Sequence, residues 1–231
     1  MRWLDGITDL MDMDRAEALR YLAIARPDEG SLEAIEPVAA ALEQALTPRF
    51  TFAAFPVQHT PEGEALLGSG LVLPGEMAKT MLRECSDAVL LLCTLGAGFE
   101  ARLRAASARD MAQAAMLDAC GSAYVEAGCD AAEQAIAARF PGKFLTDRFS
   151  PGYGDLPLAL QPRLCAALDS QRRLGVTVTE SLLMVPMKTV SAVIGLADTP
   201  QPARVRGCQF CARRETCEFR KGGRTCGSAL L

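Results

Sequence analysis

An unbroken apolar run, from Ala88 to Cys93, lies near the middle of the chain and reads Ala-Val-Leu-Leu-Leu-Cys. A run of this length and composition is typical of a strand that is buried inside a sheet. Half of the 231 residues are hydrophobic, which supplies enough apolar surface for a substantial core around that strand. The length of the chain allows one large domain or two small ones.

Helical and extended patterns surround this run. Helices are predicted at 14–25, 31–46, 75–85, 108–140 and 158–170, and further strands at 49–58, 65–73, 143–149, 176–183 and 190–196. The last two strands are too close for a helical crossover, so we expect them to pair antiparallel. We predict an α+β domain over residues 1–203, with a mixed, largely antiparallel sheet and packed helices, followed by a cysteine-rich tail over 204–231. Residues 1–12 are interpreted as an extension of no consequence for the domain.

The segment from Arg148 to Pro157 places four turn-forming residues around one cation, Arg148, and one tyrosine, Tyr153. Proline fixes its own backbone dihedral and glycine reaches positive φ without strain, so the segment is predicted to be a rigid loop. Arg148 can bind a carboxylate through two parallel hydrogen bonds, and Tyr153 offers a flat ring and a hydroxyl. A small anionic ligand with a planar part would suit this pair. The alternative interpretation is a structural turn with Arg148 facing solvent.

The triplet Thr179-Glu180-Ser181 falls within the strand predicted at 176–183. Neighbouring strand residues point to opposite faces of a sheet, so Glu180 faces away from the core if Thr179 and Ser181 face it. Its carboxylate could then bond the backbone of the loop or the ammonium group of a ligand. An exposed strand carboxylate without a ligand fits the pattern equally well.

Three motifs follow one another in the second half of the chain: Arg148-x-x-x-Gly-Tyr-x-x-x-Pro, Thr179-Glu-Ser, and Pro186-x-x-Thr-Val-Ser. Their order and spacing resemble the activation domain of cobalamin-dependent methionine synthase. The upstream segments 13–22, 89–96 and 116–120 look like the short, stand-alone version of that domain. The resemblance covers roughly residues 13 to 220, and no single motif carries it alone.

This resemblance implies that the chain binds S-adenosylmethionine at the loop. Arg148 would hold the carboxylate of the ligand and the backbone near Ser150 its other polar groups, with Gly152 and Glu180 as further binding residues. Tyr153 would lie over the ligand on the side of the corrin, so it is the one residue with an expected catalytic role. No side chain needs to act as an acid or a base, because the sulfonium is already an excellent leaving group and the protein supplies position.

The implied function is the reductive remethylation of cobalamin, in which one electron and the methyl group of S-adenosylmethionine restore methyl-Co(III). The sequence contains no D-x-H-x-x-G cobalamin motif, so the cobalamin is expected on a separate corrinoid methyltransferase such as a short methionine synthase. A flavodoxin or a ferredoxin is the expected kind of electron donor. This role leaves open whether the chain is itself an enzyme or only a participant in the methyl transfer.

Cys208, Cys211, Cys217 and Cys226 near the C-terminus follow the pattern C-x2-C-x5-C-x8-C. Few apolar residues surround them, so a metal centre would supply the cross-link that a core cannot. Four thiolates suit zinc or an iron–sulfur cluster, and the neighbouring arginines would offset their charge. The spacing does not separate the two, but a cluster is favoured because the implied activity needs an electron. The alternative is four reduced surface thiols.

Other motifs favour structural roles. Gly96-Ala97-Gly98 follows the buried run as a dinucleotide-binding turn would, but the candidate acidic partner, Asp118, falls inside a predicted helix. The single histidine, His59, lies between a strand and a turn and is interpreted as a surface residue. The remaining cysteines lie within apolar patterns and are expected to be buried as small hydrophobes. They are Cys85, Cys93, Cys120, Cys129 and Cys165.

Two alternative functions stay open beside the implied one. The first is a non-enzymatic, metal-bearing adaptor that binds a corrinoid protein without using S-adenosylmethionine. The second, less favoured, is a dinucleotide-binding oxidoreductase that uses the turn at Gly96 and Gly98. Ligand binding separates these classes, because each predicts a different small molecule or none.

Charge and composition limit the partners and the compartment. The net charge of −4, with lysines and arginines scattered over most of the chain, argues against a nucleic-acid surface. No apolar run approaches the ~20 residues of a membrane span, and Asp5, Asp9 and Asp12 argue against a signal peptide. Nine cysteines, an odd number, fit a reducing compartment, so the protein is expected in the cytoplasm.

Overall fold

The computed structural model of the protein describes residues 2–7, 12–24, 27–202, 215–216 and 218–221. The predicted buried strand lies at the centre of a sheet. This strand, β5 (Cys85–Thr94), pairs antiparallel with β2 (Arg49–His59) on one side and with β9 (Thr189–Ala197) on the other. Every residue of β5 from Ala88 onward is buried, as its apolar run predicts.

Four shorter strands complete a seven-stranded sheet in which every pairing is antiparallel. They are β1 (Arg2–Ile7), β3 (Ala65–Leu67), β4 (Val72–Leu73) and β6 (Phe144–Leu145). The order across the sheet is β4-β3-β2-β5-β9-β6, and β1 pairs with the first half of β2. The interpretation of the first twelve residues as an extension of no consequence is therefore wrong, because residues 2–7 are a strand of the sheet.

Helices cover both faces of this sheet. They are α1 (Arg15–Tyr21), α2 (Glu29–Ala45), α3 (Glu76–Leu82), α4 (Ala97–Ser107), α5 (Met111–Arg139), α6 (Gln161–Ala167) and α7 (Ser170–Leu174). A further short helix, α8 (Glu218–Lys221), follows later in the chain. One apolar core lies between the sheet and α1, α2, α4 and α5, and a second lies between the sheet and α3, α6 and α7. In the described part of the chain, no helix is both long and apolar enough to cross a membrane.

Helix α5 approaches its neighbours closely because it carries small residues where it meets them. A β-carbon at Gly128 would lie 2.6 Å from a carbon of Pro48 and 2.9 Å from the sulfur of Cys93 in β5. A β-carbon at Gly121 would lie 2.3 Å from the ring of Phe99 in α4. These spaces admit no side chain unless the neighbours move, so the two glycines set the packing distance of α5.

The expected pairing of the last two strands is wrong. Thr177–Val178 forms β7, which pairs with β8 (Met184–Val185) in a separate two-stranded hairpin, while β9 pairs with β5. Between β7 and β8 the chain turns, because Leu182 has a φ of 66° and donates its N–H to the carbonyl of Thr179. The hydroxyls of Thr179 and Ser181 lie 2.9 Å apart across this turn. The polar triplet therefore ends the strand instead of extending it.

Three other expected elements are shorter or broken. The strand expected before the Arg148 segment is reduced to β6 and a bridge between Phe149 and Val193. The helix expected after that segment is split into α6 and α7 at Asp169, where φ is 50°. The strand expected before α3 is a hairpin of β3 and β4 that turns at Gly70, where φ is 81°. A residue with a left-handed backbone conformation, such as Asp169, interrupts a helix that the hydrophobic pattern alone predicts to be continuous.

Candidate functional site

Residues 150–156, called the candidate loop below, form a compact turn between two buried anchors. Phe149 and Leu156 are each only 1% exposed and belong to the core on the α3 side of the sheet. Inside the loop, the Tyr153 N–H donates to the Ser150 carbonyl at 3.0 Å, and the Gly152 N–H donates to the Leu156 carbonyl at 2.8 Å. Gly152 has a φ of 89°, a conformation that favours glycine. The segment is a turn, as its proline and glycine residues predict.

The candidate loop is tied to the first turn of α3 by one carboxylate. Asp155 accepts hydrogen bonds from the backbone N–H groups of Glu76 at 2.6 Å and Met77 at 3.1 Å. These N–H groups, with Met77 contributing most, hold the pKa of Asp155 below its ordinary value. Sequence reasoning did not assign a role to Asp155, since a carboxylate among turn residues gives no sign of a distant helix.

Tyr153 is the exposed aromatic residue of the candidate loop, with 55% of its surface accessible. Its ring is available to a ligand or a partner, which agrees with its expected place but does not test its role. Glu180 is also exposed, but it lies in the turn between β7 and β8 and not in a strand as expected. Among the residues that the structure describes, no hydrogen bond joins Glu180 to the candidate loop, so its role in ligand binding stays a prediction.

The guanidinium of Arg148 is surrounded by carboxylates of α5. One terminal nitrogen lies 2.6 Å from Glu126, and the other lies 2.6 Å from Asp130 and also bonds Glu133. Only 12% of the Arg148 side chain is exposed, so the alternative of a solvent-facing arginine is wrong. Burial opposes the charged guanidinium, but nearby Cys129 and the three carboxylates outweigh it and raise the pKa of Arg148 above its ordinary value. The name Arg148 cluster refers below to Arg148 and its three carboxylate partners, Glu126, Asp130 and Glu133.

Arg148 and the loop that carries Tyr153 contact opposite sides of the sheet, although only five positions separate the two residues in sequence. The guanidinium of Arg148 lies against α5, whereas the candidate loop is anchored in the core of the opposite face and at α3. A ligand carboxylate at Arg148 would have to approach a guanidinium that already bonds three carboxylates through its two terminal nitrogens. Binding of a ligand by Arg148, by the backbone at Ser150 and Gly152, or under Tyr153 therefore stays a prediction.

The three carboxylates of the Arg148 cluster were missed from the sequence, although a signal was present. Glu126, Asp130 and Glu133 are spaced four and three residues apart in a predicted helix, which places them on one face. The pattern does not say what that face meets. The partner becomes visible only when the chain brings Arg148 back beside α5 after β6.

A second charged contact fixes the segment that leads into β9. The ammonium of Lys188 lies 2.9 Å from the carboxylate of Asp118 and 2.7 Å from the hydroxyl of Ser122, both in α5. The backbone N–H of Met187 donates to Glu100 in α4 at 2.7 Å. Asp118 is therefore engaged in an ion pair, and this weakens the dinucleotide interpretation, in which it was the candidate acidic residue.

Exposed apolar side chains lie on this fixed segment and on the hairpin before it. Leu183 is 64% exposed, Val185 39% and Met187 59%. Beneath the hairpin, the buried amide of Gln161 donates to the sulfur of Met184 at 2.9 Å and to the hydroxyl of Ser191 at 2.8 Å. The hairpin is thus held to α6 and β9 while it presents apolar atoms to solvent.

The thiols between residues 85 and 165 and the single histidine agree with their expected structural roles. His59 is exposed at the end of β2. Burial raises the pKa of the Cys120 thiol to about 11 and that of Cys165 above its ordinary value, so both are poor nucleophiles. All five cysteines between residues 85 and 165 are buried, which confirms their prediction as small hydrophobes.

The predicted metal ligands Cys208, Cys211, Cys217 and Cys226 lie outside the described residues. Among the residues that are described, no group of three or more His, Cys, Asp or Glu side chains is arranged to hold a metal ion. The metal centre of the tail, and the boundary between the domain and the tail at residue 203, therefore stay predictions.

This helix-covered, antiparallel sheet has the fold of a solved reactivation domain. The particular structure that it matches is the crystal structure of the MetH reactivation domain bound to AdoHcy, with a TM-score of 0.64 and 15% sequence identity. The match covers 96% of this chain and 88% of that chain. The predicted resemblance and the predicted α+β fold class are thereby confirmed for the fold. No protein-family model matches the sequence, and no curated protein matches it.

Proposed function

We propose that this protein binds S-adenosylmethionine and donates its methyl group to cobalamin carried by a separate corrinoid protein. One observation carries the proposal: an R-x-x-x-G-Y loop, anchored at both ends with its tyrosine exposed, occurs in a fold whose solved relative is bound to AdoHcy. AdoHcy is what S-adenosylmethionine becomes when it loses its methyl group. A short methionine synthase or another corrinoid methyltransferase is the proposed partner.

The charges of the Arg148 cluster suit the amino-acid end of this ligand. S-adenosylmethionine has one carboxylate, one ammonium and one sulfonium, and the cluster has one guanidinium and three carboxylates. The ligand carboxylate would replace one cluster carboxylate on Arg148, and the released carboxylate would then face a cationic group of the ligand. The exchange keeps three carboxylates on Arg148 and gives the released carboxylate a cationic partner, so it avoids leaving a buried charge unpaired.

The proposed chemistry needs positioning and no proton transfer. One electron reduces Co(II) to Co(I), which attacks the methyl carbon and releases the thioether of S-adenosylhomocysteine, leaving methyl-Co(III). A flavodoxin or a ferredoxin is the proposed class of electron donor. The protein holds the sulfonium in line with the cobalt and excludes water, and alignment of this kind is worth several orders of magnitude in rate.

The decisive experiment combines binding and turnover. Isothermal calorimetry should detect S-adenosylmethionine binding in the micromolar range or weaker, and anaerobic reduction of a Co(II) corrinoid protein should yield methyl-Co(III) only when the chain and the ligand are both present. The absorption change at the corrin reports the second result. A chain that neither binds the ligand nor restores the methylated corrinoid is inconsistent with the proposal.

A metal-bearing adaptor is the second candidate, and the four tail cysteines favour it. Such a chain would bind a corrinoid protein through its exposed apolar residues without using S-adenosylmethionine. Pull-down of the corrinoid protein, together with calorimetry that shows no binding of S-adenosylmethionine, would favour the adaptor. The dinucleotide oxidoreductase is less favoured, because Asp118 is paired with Lys188.

A further inference from the structure

Helix α3 begins without a capping side chain of its own. Its N-cap residue is Gly75, which has no side chain to accept from the first N–H groups of the helix. Asp155 fills this role from the candidate loop, 79 positions away from Glu76 in sequence, by accepting from Glu76 and Met77. The cap of α3 is therefore supplied by the segment that carries Tyr153.

The fit between the two segments depends on glycine on each side. A β-carbon at Gly75 would lie 2.8 Å from the carboxyl carbon of Asp155, and a β-carbon at Gly154 would lie 2.5 Å from the terminal methyl of Met77. Gly75 and Gly154 also have φ values of 98° and 54°. The candidate loop and the start of α3 thus lie in close contact, and the carboxylate of Asp155 is the polar link between them.

The position of Tyr153 is set through the backbone of this loop. More than half of its surface is exposed, so its ring has little support from the core. Its N–H donates to Ser150 and its carbonyl accepts from Leu156, the residue that follows Asp155. Whatever holds Asp155 in place therefore also holds the backbone from which the Tyr153 ring projects.

We infer that Asp155 is a positioning residue, which places the Tyr153 ring between the methyl donor and its acceptor by fastening the candidate loop to the first turn of α3. The inference rests on the proposed function and deepens it, because it names the contact that keeps the methyl-transfer geometry. Asp155 itself touches neither reactant. Its loss should lower the rate of methyl transfer far more than the affinity for S-adenosylmethionine.

The test compares Asp155→Ala with a matched cap variant elsewhere in the full chain. Asp110 caps α5 through the N–H groups of Ala112 and Gln113, at 2.8 and 3.2 Å, and Asp110→Ala removes a comparable cap far along the chain from the candidate loop. We expect Asp155→Ala to slow corrinoid remethylation about 10- to 100-fold, while the dissociation constant for S-adenosylmethionine changes about 3-fold or less. Asp110→Ala should leave both values near those of the unaltered chain.

Hydrogen exchange supplies a readout that does not depend on the ligand. In Asp155→Ala, hydrogen exchange should become faster at the amides of Glu76, Met77 and residues 152–156. In Asp110→Ala, the exchange rates of the same amides should not change. Asp155→Asn keeps one acceptor oxygen and should recover part of the rate. This variant also carries the test if Asp155→Ala does not fold.

The outcomes separate the inference from the proposed function. Full remethylation activity in Asp155→Ala, or an equal loss in Asp110→Ala, overturns the positioning role and leaves the proposed function intact. A parallel loss of ligand affinity and rate in Asp155→Ala also overturns it, since the residue would then support binding and not alignment. If the unaltered chain neither binds S-adenosylmethionine nor remethylates the corrinoid, the proposed function fails and this role fails with it.

Discussion

The carboxylates around Arg148 determine how a ligand carboxylate could bind there. The guanidinium of Arg148 is nearly buried and bonded to three carboxylates, so a ligand carboxylate would meet groups of its own charge there. Replacing it leaves those three carboxylates close together without a cation, which repels any further anion. At the scale of single residues, a ligand carboxylate would therefore enter a cluster in which Arg148 is already paired with protein carboxylates.

We expect Arg148→Ala to weaken S-adenosylmethionine binding by about 1.5–3 kcal/mol, the usual worth of a charge-assisted hydrogen bond. Arg15→Ala is the matched control, because Arg15 is also largely buried and bonded to two carboxylates, Glu36 and Glu43, but belongs to α1. Calorimetry on both variants, with circular dichroism to verify folding, checks the prediction. Equal affinity in the Arg148 variant and the unaltered chain would contradict it.

Tyr153 should matter for the reaction more than for binding. Its exposed ring would lie between the two reactants, where alignment controls the rate. We expect Tyr153→Ala to slow remethylation of an oxidised corrinoid protein strongly and to change ligand affinity little, while Tyr153→Phe keeps most of the rate. Met111→Ala is the control, since Met111 is 70% exposed at the start of α5. Normal reactivation by Tyr153→Ala would refute the role.

The elements of this chain differ in how fully the sequence reveals them. The apolar run of β5 and the small residues of α5 are local signals, and both elements were predicted in nearly the observed places. The hairpin of β7 and β8 was missed because hydroxyls of the Thr179 triplet bond each other and bend the chain. The partners of Arg148 and Asp155 were missed because each contact joins segments that only the tertiary fold brings together.

Two helical glycines allow an element-scale test of packing. Gly128→Ala should destabilise the protein by about 1–3 kcal/mol, because its β-carbon meets Pro48 and Cys93 in a filled space. Gly30→Ala, in the first turn of α2, should stabilise it by up to about 1 kcal/mol, since its β-carbon would make an ordinary contact with Asp28 Oδ1 at 4.0 Å and alanine favours a helix. Urea denaturation of both variants measures whether each substitution raises or lowers the free energy of unfolding. Stabilisation by Gly128→Ala would contradict the close approach of α5.

At the scale of the whole molecule, the domain carries its own cores and should not depend on the tail. Both apolar cores are built from residues 13–197, upstream of the predicted tail. The fold and its exposed loop are therefore expected to persist when the tail is removed. Truncation after residue 202, followed by thermal denaturation, separates the stability of the domain from any contribution of the tail.

The tail cysteines are predicted to bind a metal centre, with Cys208, Cys211 and Cys217 as ligands and Cys226 as the fourth. An iron–sulfur cluster would give a brown protein with broad visible absorption, and zinc would give a colourless one. Native alkylation followed by mass spectrometry should spare these thiols while the metal is bound and label them after chelation. A metal-free protein from anaerobic purification, with all four thiols alkylated, would remove the prediction.

Arg148 and the candidate loop are joined by a single buried residue, Phe149, whose backbone is fastened to Val193 at 2.7 and 3.0 Å. On one side of Phe149, Arg148 contacts α5, and on the other side the chain continues to the exposed Tyr153. A shift of the backbone at Phe149 would therefore move both residues. Ligand and corrinoid partner should consequently be linked thermodynamically: each raises the affinity of the protein for the other by the same factor. Titrating S-adenosylmethionine with and without the partner, and the partner with and without S-adenosylmethionine, measures the two factors. Factors of one in both titrations would contradict this coupling, whereas unequal factors would show that a titration had not reached equilibrium.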